Sequence, residues 1–335
     1  MSEVSVVIPV FDAARYLRAC LGSVVGQTLR DIEVICVDDG SADGSAGILR
    51  EFAEADSRVK VLSQPNMGQG AARNRGLEAA TGGYVHFMDA DDELAAPDAL
   101  ERLVREAVRD RLDALFFDAE VSVDAGIETS AVKASDYIRT GSYPDVASGR
   151  ELFSLFLKSR EYSVSPCLVL LRRAFLSESG VKFPSERIFH EDNVFMTRVM
   201  LSARRAGHRP WRLYVRKVHE GSVVTSRPTV RHLRGYLACY LDACEVIGRG
   251  GWDRRTRAAL VELRVVYKLH VRRIADAHPG LVAEAEREMP PEERAALRAA
   301  LEYPLREAVV NAFRCLRERG LAYTLRRIAF GRQPD

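Results

Sequence analysis

Apolar runs and helical stretches alternate through the first 120 residues with a regularity that few folds accommodate. Val4 to Ile8, Ile32 to Val37, Val59 to Leu62, Tyr84 to Met88 and Ala114 to Phe117 are short apolar runs, several of them β-branched. Between them lie stretches of helical periodicity: Tyr16, Leu17, Cys20, Leu21 and Val24 first, then Ser45 to Ala55, Gly70 to Ala80 and Ala99 to Val108. The run Val4-Ser5-Val6-Val7-Ile8 is too continuously apolar for a strand with one wet face, and suits a parallel sheet covered on both sides. Strand, helix, strand, repeated, predicts an α/β fold whose mostly parallel sheet is wound by right-handed crossovers.

In such a sheet, ligands gather beyond the carboxyl ends of the strands. The polar clusters after Ile8, Val37, Leu62 and Met88 therefore point at one crevice. Crowded carboxylates cost free energy unless a cation or a donor offsets them, so the crevice is the candidate site.

Beyond about Glu120 the pattern loosens. Ser122 to Pro144 reads as irregular, Leu152 to Leu157 and Asn193 to Leu201 as helical, Cys167 to Leu171 and Arg212 to Val218 as strands. From Pro228 the chain turns helical, with breaks expected at Gly248-Arg249-Gly250-Gly251, Pro279-Gly280, Pro290-Pro291 and Pro304. Three regions follow: 1–120, 121–227 and 228–335. The last carries 20 Lys and Arg against 14 Asp and Glu, where the rest has 29 against 33. At 47% hydrophobic and 29% charged residues, the 335-residue chain has an ordinary globular composition and can bury a core without staples. No apolar run approaches the roughly 18 residues of a membrane span. Glu3 precedes the first apolar run and no basic leader surrounds it, so a cytoplasmic protein is expected. The six cysteines form no C-x-x-C pair, and reduced buried thiols are expected.

Each cluster has a structural and a chemical reading. In Asp38-Asp39-Gly40-Ser41 one carboxylate can accept a uracil imide N–H, or the four residues can simply turn the chain. Gly68-x-Gly70 begins a dinucleotide fingerprint, but the third glycine is replaced by Arg73, which leaves a nicotinamide-dependent dehydrogenase poorly supported. A tight loop presenting Asn66 and cationic Arg73 suits the pattern better. Asp89-Ala90-Asp91-Asp92 places carboxylates two apart at a strand end. That spacing can hold an oxygen-loving divalent cation, Mg²⁺ or Mn²⁺ rather than Zn²⁺, or can cap a helix. His190-Glu191-Asp192 opens a helix and offers either acidic capping or a general base. His219 is a candidate third metal ligand, a phosphate donor or a surface histidine.

Taken in order, these pieces resemble the inverting family-two glycosyltransferases of GT-A fold, which build bacterial capsular, exopolysaccharide and cell-wall glycans. The matching stretches are Val6 to Phe11, Gln27-Thr28, Ile32 to Ser41, Gln64-x-Asn66-x-Gly68, Ala72-Arg73-Asn74-x-Gly76-Leu77, Phe87 to Asp92 and Glu191-Asp192. They are dense over residues 4 to 95 and sparse over 165 to 227. Asp12 stands where the family usually has Asn, and Glu93 where it commonly has an aromatic residue.

The resemblance implies a nucleotide-sugar donor, a UDP-sugar first among them. Pro9 and Phe11 would line the base pocket, with Asp38 and Asp39 at its edge and Asp39 reading uracil. Asn66 and Arg73 would hold the nucleotide, and Asp89 with Ala90 the ribose or donor sugar. Asp91, with His219, would hold Mn²⁺ or Mg²⁺, while Asp192 would act as base with Glu191 supporting it. The acceptor would be a hydroxyl of a glycan or lipid-linked saccharide. A non-catalytic nucleotide-sugar-binding scaffold subunit is the alternative. The basic helical end, including Arg314, Arg317, Arg319, Arg326 and Arg327, suits peripheral contact with an anionic membrane or a homo-oligomer interface. Nucleic acid is not an expected partner.

Overall fold

The computed structural model describes residues 2–124, 134–185, 188–219 and 227–302. Its first half follows the expected winding: β1 (Val4–Val10), α1 (Ala14–Val25), β2 (Ile32–Asp38), α2 (Ser45–Ala55), β3 (Val59–Ser63), α3 (Gln69–Ala79) and β4 (Tyr84–Phe87). β5 (Glu93–Leu94), α4 (Ala99–Arg109), β6 (Ala114–Val123), α5 (Gly149–Ser159), β7 (Val169–Arg172), α6 (Arg173–Ser179), α7 (Glu191–Ser202) and β8 (Ala206–Val218) complete the sheet region. Four helices follow: α8 (Val230–Arg249), α9 (Arg254–Ala277), α10 (Pro279–Glu288) and α11 (Pro291–Leu301).

The eight strands form one sheet in the order β3-β2-β1-β4-β7-β6-β8-β5. β3, β2, β1 and β4 are parallel. β7 runs antiparallel to both β4 and β6, and β8 is parallel to β6. The sheet is thus parallel over the first four expected strands and mixed beyond, since the fifth, β6, meets β7 antiparallel. β1 shows why the parallel half forms: all seven of its residues are buried. Val7 joins the core on one face, while Val4, Val6, Ile8 and Val10 join the other. Each such side chain contributes about 1.5–3 kcal/mol when taken fully from water. Pro9 is tolerated because the register with β4 ends at the Val7–Phe87 pair, before the proline's missing N–H would break a rung.

β8 is longer than expected, starting at Ala206 rather than Arg212. Its first residues include His208 and Arg209, buried in spite of their polarity because partners meet them. Arg209 Nε lies 2.9 Å from Glu106 and His208 Nε2 lies 3.0 Å from Asp118. β6 extends to Val123, and residues 125–133 of the stretch expected to be irregular lie outside the described residues.

The helical end breaks at Gly250 and Gly251, which have φ of 70° and 76°, and at Pro279 and Pro291, which open α10 and α11. α8 and α9 do not stand apart from the sheet. Cys239, Ala243, Leu260, Leu263 and Tyr267 belong to the same buried cluster as Phe153, Phe156 and Val194. Pro304, Cys315 and the arginines from Arg314 to Arg327 lie outside the described residues. The other five cysteines are free thiols. Among the described residues no helix is long and apolar enough to cross a membrane.

Candidate active site

The carboxyl ends of β1, β2 and β4 open on a cavity of about 430 Å³. Pro9 and Phe11 line it from the end of β1, and Asp39, Asn66, Asp89, Ala90, Asp91 and His219 line it as well. Phe11 is half exposed at the mouth. Asp39 is buried and holds the loop that follows β3. Its Oδ1 accepts N–H bonds from Gln64 Nε2 and the Met67 amide, and its Oδ2 accepts one from the Gly68 amide, each at 2.8 Å. Asp38 lines neither this cavity nor the next; its Oδ1 caps the turn by accepting from the Ser41 amide at 3.0 Å. Asp12 likewise serves the loop, accepting from the Ala42 amide at 2.8 Å.

Asp89, Asp91 and Asp92 bring a carboxylate oxygen each to within 4.8 Å of one another. Their surroundings give them different work. Asp92 is 1% exposed, accepting from the Tyr214 hydroxyl at 2.8 Å and the Lys217 amide at 2.7 Å. Burial, with Asp91 and Asp89 beside it, raises its pKa well above the ordinary range. Asp89 accepts from Arg73 Nη2 at 2.7 Å and Gln69 Nε2 at 3.0 Å. Burial would raise Asp89, but Arg73 and Arg216 outweigh it and hold the carboxyl below its usual value. Asp91 faces the cavity with His219, whose Nε2 is 2.9 Å from Asp91 Oδ2 and whose ring stacks on Tyr16 at 4.3 Å. The carboxylate oxygens at this cleft suit Mn²⁺ or Mg²⁺, while the His219 imidazole beside Asp91 is a ligand those hard cations favour less.

A second cavity, of about 510 Å³, lies on the other side of Asp89 and Arg216, which wall both spaces. Asp192 opens into this one, in the first turn of α7. Its Oδ1 accepts from the Asn193 amide at 2.9 Å. Burial raises the Asp192 pKa; Arg73 works against that, and Asp89 adds to it. Glu191 turns the other way and accepts from Arg73 Nη1 at 2.9 Å. Burial first, then the neighbouring Asp192, push the Glu191 carboxyl up. Arg73 is 3% exposed and splits its fork between Asp89 and Glu191, joining the strand-end aspartates to the start of α7.

Arg216 carries no sequence motif and is legible only in three dimensions. Tyr214 and Arg216 lie two apart on β8 and so share a face. That face meets the aspartates: Arg216 Nη1 is 3.5 Å from Asp89 and 3.6 Å from Asp92. Both distances are long for a charge-assisted hydrogen bond, so the guanidinium retains capacity for an anion. Glu93 pairs with Lys217 beside it.

The family model for glycosyl transferase family 2 matches residues 5–177. The chain belongs to glycosyl transferase family 2. It is 34% identical over 222 residues to the uncharacterized glycosyltransferase YibD of Escherichia coli K12, covering 66% of this chain and 63% of YibD. With the putative glycosyltransferase EpsH of Bacillus subtilis it shares 35% identity over 224 residues, 66% of this chain and 62% of EpsH. The chain therefore spans about three fifths of the length of these relatives. Among solved structures, S. aureus TarS 1-349 in complex with UDP-GlcNAc superposes with a TM-score of 0.63 at 19% identity, over 99% of this chain and 93% of that one. A mannosyltransferase from Pyrobaculum calidifontis, in complex with GDP-Man and Mn²⁺, gives 0.56 at 19% identity, over 91% and 82%. The fold is that of the GT-A glycosyltransferases, with helices added at its end.

Proposed function

We propose that this family-2 chain transfers a sugar from a UDP-sugar to a saccharide hydroxyl with inversion at the anomeric carbon. The carrying observation is the shared wall: Asp91 and His219 face one cavity, Asp192 faces the other, and Asp89 and Arg216 divide them. Nucleotide donor on one side and acceptor on the other would meet at that wall.

Asp39 supports uracil as the base. A carboxylate offers about four lone-pair sites, and three are taken by Gln64, Met67 and Gly68. The remaining site accepts one N–H, as the uracil imide supplies, and not the two adjacent donors of guanine. Pro9 and Phe11 supply apolar surface for the ring. Arg216 lies where it can offset diphosphate charge. A divalent cation held by Asp91 and His219 would act as a Lewis acid toward the charge that builds on the leaving diphosphate.

Asp192 holds the proton-accepting role. Its raised pKa makes it a stronger base than a solvated carboxylate, and an acceptor hydroxyl in hydrogen-bond reach can pass it a proton as attack proceeds. The acceptor oxygen bonds the anomeric carbon, the bond to the diphosphate oxygen breaks, and the proton ends on Asp192. Arg73 acts as a positioning residue, fixing Asp89 and Glu191 and through Glu191 the first turn of α7.

Asp192→Asn tests this. Transfer is expected to fall by about 10²–10⁴, while UDP affinity measured by calorimetry stays within a few-fold. Loss of UDP binding in that variant would make Asp192 structural. Chelation by EDTA is expected to abolish turnover of the intact protein and added Mn²⁺ to restore it; turnover indifferent to EDTA would remove Asp91 and His219 from this role. Donor turnover itself separates an enzyme from a scaffold.

A further inference from the structure

Building on that reading, we propose that the acceptor is an extended saccharide chain, which runs from Asp192 along a groove between α5 and α9. The cavity that Asp192 lines does not end at the base. Leu157, Arg160 and Glu262 wall it and also wall an outer groove of about 820 Å³ between the same two helices. A cavity of roughly 300–1,000 Å³ already holds a whole drug-sized ligand. The inner space of about 510 Å³ and its continuation therefore exceed what a single sugar fills.

One face of α9 runs the length of this path. Arg255, Ala258 and Ala259 line the outer groove, Glu262 lines both spaces, and Val266 and His270 line the inner cavity. These positions recur at three- and four-residue spacing, which keeps them on one side of a helix. From Arg255 to His270 that side extends about 22 Å at 1.5 Å per residue, room for several sugar rings end to end.

The lining suits hydroxylated rings. The inner cavity presents apolar surface from Tyr162, Val164 and Val266. His190 adds an imidazole ring to its wall. The outer groove is polar, with Ser154, Lys158 and Arg255 along it. Such a surface hydrogen-bonds a carbohydrate and gives a lipid tail no purchase.

The test is binding of the labelled full chain to an array of saccharides graded from mono- to octasaccharide, with single-sugar glycolipids alongside. Wild type is expected to bind more tightly as chain length grows. Ala258→Trp, at an exposed position, fills the outer groove and is expected to lower binding of the longer saccharides by about tenfold. Lys158→Ala should weaken the same ligands more mildly. Calorimetry with UDP on each protein confirms that it is folded. Length-independent binding, preference for single-sugar glycolipids, no retained saccharide, or variants indistinguishable from wild type would each overturn the extended acceptor. If UDP binds and those results appear, the acceptor inference falls alone. If wild type binds long saccharides but no UDP, the donor reading falls instead.

Discussion

Asp192 combines two demands that pull apart. The proposed role as base needs its carboxylate charged, yet burial and the nearby Asp89 favour the protonated form. An acid whose folded pKa is raised above its unfolded value stabilises the fold below that unfolded value, and the contribution is lost as pH rises through the folded pKa. At pH 7 the charged carboxylate is therefore a liability to stability. Asp192→Asn, inactive, should have a higher Tm than wild type at pH 7, with the gap narrowing as pH falls into the carboxylate range. A lower Tm at pH 7, by calorimetric scanning, would show that the carboxylate is held by favourable partners instead. Stability given up at a reacting group is common in enzymes. That these acidic residues lie near one another was readable from order and spacing: Asp89 and Asp91 line one cavity, and Asp89 and Asp192 the other. What spacing could not show is the division of labour within Asp89-Ala90-Asp91-Asp92. That division depends on Tyr214, Arg216 and Lys217, more than 120 residues away, and these carry no pattern of their own.

Elements of the parallel half were legible from pattern: β1, β2 and β4 are buried throughout and mostly apolar, and α1 shows its buried stripe of Leu17, Cys20, Leu21 and Val24. β5, two residues long, and α6, seven, are too short to display a period. The start of β8 was hidden by charge, since a strand through His208 and Arg209 is tolerated only where Asp118, Glu106 and Asp110 face them. The join of α8 to α7 is set by a glycine. A Cβ on Gly235 would collide with the Phe189 carbonyl and approach the His190 ring at 3.3 Å. Those residues lead directly into Glu191 and Asp192, and His190 already holds the left-handed φ of 67°. Gly235→Ala should therefore displace the first turn of α7, cutting kcat for transfer by tenfold or so while leaving UDP affinity nearly intact. Equal loss of both in steady-state kinetics and calorimetry would mean that the substitution disturbs the whole fold.

At the scale of the molecule, the helical end expected from Pro228 is present, and its α8 and α9 share buried side chains with the sheet region. Leu260, Leu263 and Tyr267 of α9 are at most 4% exposed and cluster with Phe153 and Phe156 of α5. Ending the chain at Pro228 would strip that face and expose a contiguous apolar patch, which soluble proteins seldom tolerate. Such a chain should aggregate or lose its cooperative thermal transition; a monodisperse, cooperatively melting product on size exclusion and calorimetry would contradict the shared core. The shared wall has a bearing on how the two substrates meet. Arg216 fronts both spaces with one positive charge, so whatever neutralises it from one side alters the field felt on the other. With the proposed substrates, occupancy of the two sides is thermodynamically linked, and linkage is reciprocal: the factor by which a nucleotide on one side tightens or loosens a saccharide on the other is the factor the saccharide returns.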